Sequence, residues 1–310
     1  MDQQTLATLI EQFFNALTLG GIFALVALGY TMVYGIIELI NFAHGDIFMV
    51  GAFISMAVLT AMGFTGTASD PLQLVIGLTA AFAITMPLLG ILGVTIERFA
   101  YRPLRNAPRL APLITAIGVS FILQNLVQIW WGPSPQSTPQ IFPVSARFTI
   151  LGASIAWVSV FVFLVTVVAT VCLQLFVSRS RLGRAMRSTA QDREAAQLMG
   201  VNINTTIALT FLLGSALAGA AGIVYGLNYG TIQFDMGFGA GLKAFTAAVL
   251  GGIGNLTGAV LGGFIIGFIE VITAQLGYSR WAEAVVFAVL IIVLVVRPSG
   301  LLGQQLGERA

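Results

Sequence analysis

The chain has 310 residues, of which 57% are hydrophobic and 8% charged, and its formal net charge is +2. Soluble domains usually carry about 25% charged residues, so the 14 basic and 12 acidic side chains here are too few to cover a water-facing surface. This excludes an ordinary soluble domain and indicates that most of the exterior faces lipid. The single His44 excludes a multi-histidine metal site, and the single Cys172 excludes an intrachain disulfide. Because Cys172 lies in an apolar run, we expect its thiol to be buried.

Seven stretches are long and apolar enough to cross the hydrocarbon core of a bilayer, which takes about 20 residues. In chain order they cover residues 13–37, 72–96, 110–130, 155–177, 205–227, 256–276 and 282–296. Two more apolar segments, 46–62 and 237–253, are interrupted by glycines or adjoin polar residues. We predict an all-α, polytopic transmembrane helical bundle of about nine spans, formed by residues 1–310 as a single domain. The alternative is eight spans, with one interrupted segment re-entering the membrane.

Arginine placement predicts the orientation, because basic residues concentrate in cytoplasmic loops. The segments that follow the spans 72–96, 155–177 and 282–296 contain eleven of the 14 basic residues. These are Arg98, Arg102, Arg105, Arg109, Arg179, Arg181, Arg184, Arg187, Arg193, Arg297 and Arg309. If those segments are cytoplasmic, nine crossings place the N-terminus in the periplasm and the C-terminus in the cytoplasm.

Two loops stand out between the spans. The predicted external loop, 131–150, is rich in Pro and Ser, and the predicted cytoplasmic loop, 178–204, is the longest polar stretch. Within the second loop, residues 191–200 have the pattern of a short amphipathic helix that ends at a glycine. Such a helix can dock into a groove on a soluble partner. The alternative is a solvated helix at the membrane interface.

A weak internal repeat pairs the two interrupted segments. Tyr34-Gly35 recurs as Tyr225-Gly226, and residues 41–45 align with residues 233–237. In the predicted topology the two copies begin on opposite sides of the membrane, as in the inverted repeats of many transporters. With so few identities, a chance match is the alternative.

Polar residues lie within or beside the interrupted segments, where ionisable groups usually face a bundle interior or an aqueous cavity. Glu38 precedes the first segment, and Glu270 lies in the span 256–276. We predict a path or gate for a zwitterion lined by Asn41, Phe42, His44, Asp46, Lys243 and Phe245. The alternative is a set of interfacial anchors, helix caps or a buried pair, such as Lys243 with a carboxylate.

Glycines recur at every fourth residue near the second interruption. Small residues at this spacing form a groove that another helix can approach closely. We therefore predict helix packing at Gly254, Gly258 and Gly262, which follow this spacing, and at Gly267, which repeats it from the adjacent Gly263.

The chain has no G-x-x-x-x-G-K-[ST] phosphate loop, and its only lysine is Lys243. It thus lacks a common device for binding ATP, and it shows no nucleophile elbow and no metal-ligand spacing. We expect that the chain is not an enzyme and binds no cofactor itself.

Five stretches together resemble the LivH-type permease subunits of bacterial branched-chain amino acid ABC importers, and the likeness spans nearly the whole chain. They are YTMVYGII (30–37), INFAHGD (40–46), IERFAYRP (96–103), SRSRLGRA (178–185) and GLKAFTAAVLGGIG (241–254). The resemblance implies a multi-pass protein of the bacterial inner membrane that passes branched-chain or related neutral amino acids to the cytoplasm.

The same resemblance implies partners. These are a LivM-like second permease, two cytoplasmic ATP-binding subunits that hold ATP and Mg²⁺, and a periplasmic substrate-binding protein; no nucleic acid is expected. It also implies that the segment 191–200 couples to the ATPases, because Glu194-Ala195-Ala196 with Gly200 fits the core EAA-x-x-x-G of importer permeases. The residues concerned are Gln191, Asp192, Glu194, Ala195, Ala196 and Gly200, although the downstream Ile-x-Leu-Pro of that pattern is missing.

Two other functions remain open at this point. Related importers for urea or short amides share the same permease pattern, so the sequence does not fix the substrate. A stand-alone secondary transporter would use ion gradients and need no ATPase partner.

Overall fold

The computed structural model describes residues 3–37, 41–68, 70–105, 107–108, 110–143 and 146–303. Within these residues the chain forms eleven α-helices and four short strands. The helices are α1 (Gln3–Ile37), α2 (His44–Ala61), α3 (Pro71–Ile96), α4 (Leu110–Trp131), α5 (Trp157–Arg179), α6 (Arg181–Gln191), α7 (Arg193–Leu198), α8 (Ile203–Tyr229), α9 (Met236–Gly251), α10 (Leu256–Gln275) and α11 (Ala282–Val296). Glu38, Arg109 and Arg309 lie outside the described residues.

The predicted all-α polytopic bundle is confirmed. Eight helices in the described part of the chain are long and apolar enough to cross a membrane, namely α1 to α5, α8, α10 and α11 with the turn before it. The two interrupted segments differ: α2 has 18 residues and qualifies by length, whereas α9 has 16 and is shorter. The eight long helices and the short α9 therefore match the nine predicted apolar segments.

α1 and α8 form the buried centre of the bundle. In the most apolar 18-residue stretch of each helix, 89% of α1 and 78% of α8 is buried inside the protein. The corresponding values are 17% for α5 and 6% for α11. A helix that is apolar all round but exposed faces lipid in a membrane protein, so α5 and α11 belong to the periphery. The expectation that Cys172 is buried was wrong, because its thiol lies on the exposed helix α5. Apolar neighbours in the sequence do not distinguish a core position from a lipid-facing one.

Glycines allow the close contacts of α10 with its neighbours. A Cβ atom on Gly258 would overlap the backbone of Gly251, one on Gly262 would overlap that of Ala247, and one on Gly267 would overlap that of Gly20. Gly263 likewise meets the backbone of α1. Gly254 lies before α10 and not in it, with φ of 89°. A Cβ atom on Gly254 would meet nothing within 4 Å, so a packing role for this glycine stays a prediction.

The segment between α4 and α5, which includes the predicted external loop 131–150, contains short strands. β2 (Arg147–Ile150) and β3 (Ala153–Ala156) form an antiparallel hairpin. Its two-residue turn, Leu151-Gly152, has positive φ at both positions, as tight hairpin turns require. The hairpin is tied to α1, since the Glu11 carboxylate accepts a 2.7 Å hydrogen bond from the Ser154 amide. A second pair joins β1 (Gln136–Ser137) to β4 (Thr231–Ile232).

Candidate functional site

α2 begins inside the bundle, next to α1. α2 begins at His44 without a side-chain cap, and the imidazole packs edge-to-face on Tyr30 with ring centroids 4.7 Å apart. A Cβ atom on Gly29 would overlap this imidazole, so the approach requires glycine there. α2 therefore begins beside Gly29, about two turns before the end of α1 at Ile37.

A second helix begins at the same place. α9 starts at Met236, and its first turns lie against the first turn of α2. A Cβ atom on Gly45 would overlap the Gly237 carbonyl oxygen and lie 2.8 Å from the Gly241 Cα atom. The two helix starts are thus in direct backbone contact. We call Gly45, Asp46, Gly237 and Gly241 the helix-start junction.

α2 and α9 leave the helix-start junction toward opposite faces of the bundle. α2 runs toward the end of α4, where Phe53 packs on Trp131 with ring centroids 5.3 Å apart. α9 runs toward the end of α1, since a Cβ atom on Gly35 would lie 3.2 Å from Gly254, which follows α9. The two segments that the sequence repeat pairs therefore begin together and diverge, which is the arrangement of an inverted repeat.

Asp46 is fully buried at the helix-start junction. Its carboxylate accepts hydrogen bonds from the Ser120 hydroxyl and, at 2.9 Å, from the Gln124 amide. Because Ser120 lies near the middle of α4, the junction lies near the middle of the bundle. Helix N-termini carry a positive partial charge. Asp46 is in the first turn of α2, and a Cβ atom on Gly237 would lie 2.6 Å from its Oδ1 atom. One carboxylate therefore faces the positive ends of both helices.

Four of the predicted path residues, from both interruptions, fall into two groups. Asn41 and His44 are buried, and the Asn41 Oδ1 atom accepts a 2.7 Å hydrogen bond from the Tyr101 hydroxyl. Phe42 and Phe245 are half-buried, with ring centroids 6.2 Å apart. The buried polar residues hold helices together, whereas the two phenylalanines keep surface that a substrate can contact.

Lys243 joins three helices. Its Nζ atom lies 2.7 Å from the Glu270 carboxylate on α10 and 3.4 Å from the Glu283 carboxylate on α11. It also lies 5.9 Å from the centroid of the Phe23 ring on α1. The pairing of Lys243 with a carboxylate, one of the two alternatives from the sequence, is therefore present. A role for Lys243 in the path stays a prediction.

Replacing Lys243 with methionine should destabilise the protein by about 3–5 kcal/mol, because it leaves the largely buried Glu270 without its cation. The double variant Lys243→Met/Glu270→Gln should lose much less stability, since it leaves no buried charge without a partner. Glu283 is 66% exposed and is unchanged in both variants. The measurement is the temperature at which half of the purified protein stays monodisperse in detergent. Equal losses in the single and double variants would contradict a stabilising ion pair.

The predicted helix 191–200 is divided by Asp192. Gln191 ends α6, and Asp192 has extended backbone with φ of −156°. Its carboxylate accepts hydrogen bonds from the amides of Glu194 and Ala195 and so begins a new helix. α7 has only six residues, and the chain then turns at Gly200 with φ of 84°. The predicted bounds were wrong because Asp192 is a cap and not an interior residue.

The tip of α7 projects from the bundle. Ala196 is buried and anchors the helix, while Glu194 and Ala195 are exposed. Leu198 and Met199 are 89% and 85% exposed. Two large apolar side chains exposed side by side at the end of a charged helix are typical of a surface that contacts another protein.

Behind α7, two arginines connect the ends of four helices. Arg193 donates a 3.2 Å hydrogen bond to the carbonyl oxygen of Ile36, in the last turn of α1. Arg105 forms an ion pair with the buried Glu97, just past α3, and donates a 2.6 Å hydrogen bond to Asn204 on α8. Burial lowers the pKa of Arg105 from its ordinary value, and the neighbouring Glu97 carboxylate opposes this shift. A cavity of about 450 Å³ lies beside these groups.

Sequence reasoning missed several of these residues. Ser120 and Gln124 are polar residues four positions apart in an apolar span, so both lie on one face of the helix. This spacing could have predicted that α4 supplies hydrogen-bond donors to a buried polar group. No local pattern connects Arg193 with Ile36, because 157 residues separate them.

Comparisons with known proteins identify the family of this chain. The family described as "Branched-chain amino acid transport system / permease component" matches residues 12–294. The chain is 45% identical to the high-affinity branched-chain amino acid transport system permease protein BraD of Pseudomonas aeruginosa, over 95% of this chain and 96% of BraD. It is 43% identical to the corresponding permease LivH of Escherichia coli K12, over 95% and 96% of the two chains. It is 24% identical to the E. coli ribose import permease RbsC, over 92% and 85%. No solved structure matches the chain. The chain therefore belongs to the family of branched-chain amino acid transport system permeases.

Proposed function

We propose that this chain is one permease subunit of an ATP-driven importer that passes branched-chain or related neutral amino acids to the cytoplasm. The names of BraD and LivH support the substrate class, at 45% and 43% identity over 95% of the chain. The helix-start junction is the observation that carries a transport role, because paired interrupted helices near the middle of a bundle are where transporters hold or gate their substrate.

The chain is a multi-pass inner membrane protein, and we propose that the face with α6 and α7 is cytoplasmic. The arginine-rich ends of α3 and α5 lie at that face, in agreement with the enrichment of basic residues in cytoplasmic loops. With this orientation, the proposed N-terminus is periplasmic and the proposed C-terminus is cytoplasmic.

The proposed complex has four kinds of partner around this chain. A LivM-like permease completes the path, a periplasmic binding protein delivers the substrate, and two ATP-binding subunits hold ATP and Mg²⁺ against the cytoplasmic face. The exposed Glu194 and the apolar tip formed by Leu198 and Met199 fit a helix-in-groove contact with one ATP-binding subunit. Closure of the two ATP-binding subunits would move α7, and the movement would reach the helix-start junction through α1.

Deletion of the gene in its own bacterium tests the proposal. Uptake of labelled leucine should fall at least tenfold and return when the wild-type gene is supplied. Inactivating the ATP-binding partner that co-purifies with the chain should give the same loss. A normal leucine uptake with lost urea uptake would assign the chain to the urea or short-amide importers. Uptake that persists without any ATPase and follows an ion gradient would identify a secondary transporter.

A further inference from the structure

The segment between β4 and α9 exposes a carboxylate. Ile232 is buried, whereas Gln233 and Asp235 on either side of Phe234 are exposed. Asp235 is the residue before the first turn of α9, and its side chain makes no cap hydrogen bond. Among the described residues, no ion pair involves Asp235.

This carboxylate lies at the depth of the helix-start junction. Gly237 packs on Gly45 and Asp46, and Asp46 is bonded to Ser120 in the middle of α4. Two residues of chain span at most about 8 Å, so Asp235 lies within that distance of Gly237. Because an exposed charge this deep is costly against lipid, such residues face an aqueous cavity or another protein. The face that carries Asp235 therefore borders the path or the second permease.

Asp235 differs from the other carboxylates at this depth in the described chain. Asp46 is buried and accepts two hydrogen bonds, and Glu270 is paired with Lys243. Near Asp235, Phe234 is half-buried and Phe238, one turn along α9, is 49% exposed. A free carboxylate beside partly exposed aromatic rings has the chemistry to hold an ammonium group next to an aliphatic side chain.

We propose that Asp235 binds the ammonium group of the amino acid as it passes the helix-start junction. This deepens the proposed function and rests on it. Specificity at this point requires a positive amino group, so a neutral amide or a carboxylic acid without that group would not be held. The aromatic rings would contact the aliphatic side chain.

The test uses the complete importer in proteoliposomes with saturating, leucine-loaded binding protein. Asp235→Asn keeps the size of the side chain and removes its charge, and it should lower the rate of leucine uptake at least tenfold while ATP hydrolysis continues. Asp235→Glu should keep more uptake than Asp235→Asn. The control is Asp70→Asn, which removes an exposed charge at the cap of α3 but keeps a good capping residue; uptake should stay normal.

A second measurement locates the side chain without relying on transport. Cys172, the single cysteine of this chain, is exposed and is first replaced by alanine. The variant Asp235→Cys then has one thiol in this chain, at position 235. A water-soluble thiol reagent should label it in the assembled complex, and added leucine-loaded binding protein with ATP should slow the labelling. Full uptake by Asp235→Asn would overturn the proposal. So would a thiol that reacts in the isolated chain but not in the complex, since that result makes Asp235 a contact with the second permease. If the wild-type complex itself imports no leucine, the proposed function fails instead.

Discussion

Replacing Gly237 with alanine is expected to disrupt the helix-start junction. The added Cβ atom would lie 2.6 Å from Asp46 Oδ1, and 2.8 Å from both Asp46 Cα and the Gly45 carbonyl oxygen. Two of these atoms belong to backbone inside a packed helix start, so neither can move cheaply, and overpacking of this kind costs about 1–3 kcal/mol. We expect lower thermal stability and a strong loss of leucine uptake, measured on the purified complex and in proteoliposomes.

Gly239→Ala is the matched control. Gly239 lies on the same helix two residues later, and a Cβ atom there would meet nothing within 4 Å. Alanine also favours helix formation relative to glycine by about 1 kcal/mol, so Gly239→Ala should be neutral or slightly stabilising. If Gly237→Ala transports as well as Gly239→Ala, the contact between the helix starts is not needed for function.

The spans were predictable because a bilayer core imposes a length and an apolar composition on each crossing helix. Residues 282–296 were predicted with the bounds that α11 has, and the start of α4 was also correct. The starts of helices next to polar sequence were less accurate. α1 begins at Gln3, ten residues before the predicted start, because its first turns extend beyond the apolar stretch and pack near the hairpin through Glu11.

Local capping explains why the bounds of the predicted helix 191–200 were wrong. Residues 184–199 have strong helix formers, yet the helix stops at Gln191, because Asp192 adopts extended backbone and caps the next helix. Asp in a helical run competes with the backbone through its own side chain, so the sequence permits both outcomes. The hydrogen bond from Arg193 to α1 favours two separate helices, α6 and α7, over one continuous helix.

The candidate site was predictable in composition but not in its contacts. The glycines and polar residues of the two interruptions are visible in the sequence, and their alignment as a repeat agrees with two helices that start side by side. The partners of Asp46 come from α4, 74 and 78 residues away. Hydrogen bonds between distant spans depend on how the spans pack. In the sequence, only the four-residue spacing of Ser120 and Gln124 indicated a polar face on α4.

The contacts between α7 and α1 connect α7 to the helix-start junction. The last turn of a helix leaves carbonyl groups without partners inside the helix, and at the end of α1 one of them, on Ile36, is bound by Arg193 of α7. α2 begins at His44, soon after α1 ends, and His44 packs on Tyr30 of α1. A displacement of α7 therefore acts on the helix that supports the start of α2.

Arg193→Ala should uncouple ATP hydrolysis from uptake in the proposed importer. The variant loses a hydrogen bond from a charged donor, which is worth about 1.5–3 kcal/mol, so we expect leucine uptake per ATP hydrolysed to fall about 10- to 100-fold. The ATP-binding subunits should still co-purify, because Arg193 faces α1 while the exposed tip of α7 is unchanged. Glu194→Lys is the comparison variant. Glu194 is exposed on the same helix, so reversing its charge should weaken attachment of the ATP-binding subunit. If Arg193→Ala instead loses the ATP-binding subunits, Arg193 supports docking; if it keeps normal uptake per ATP, the bond to Ile36 does not transmit the motion.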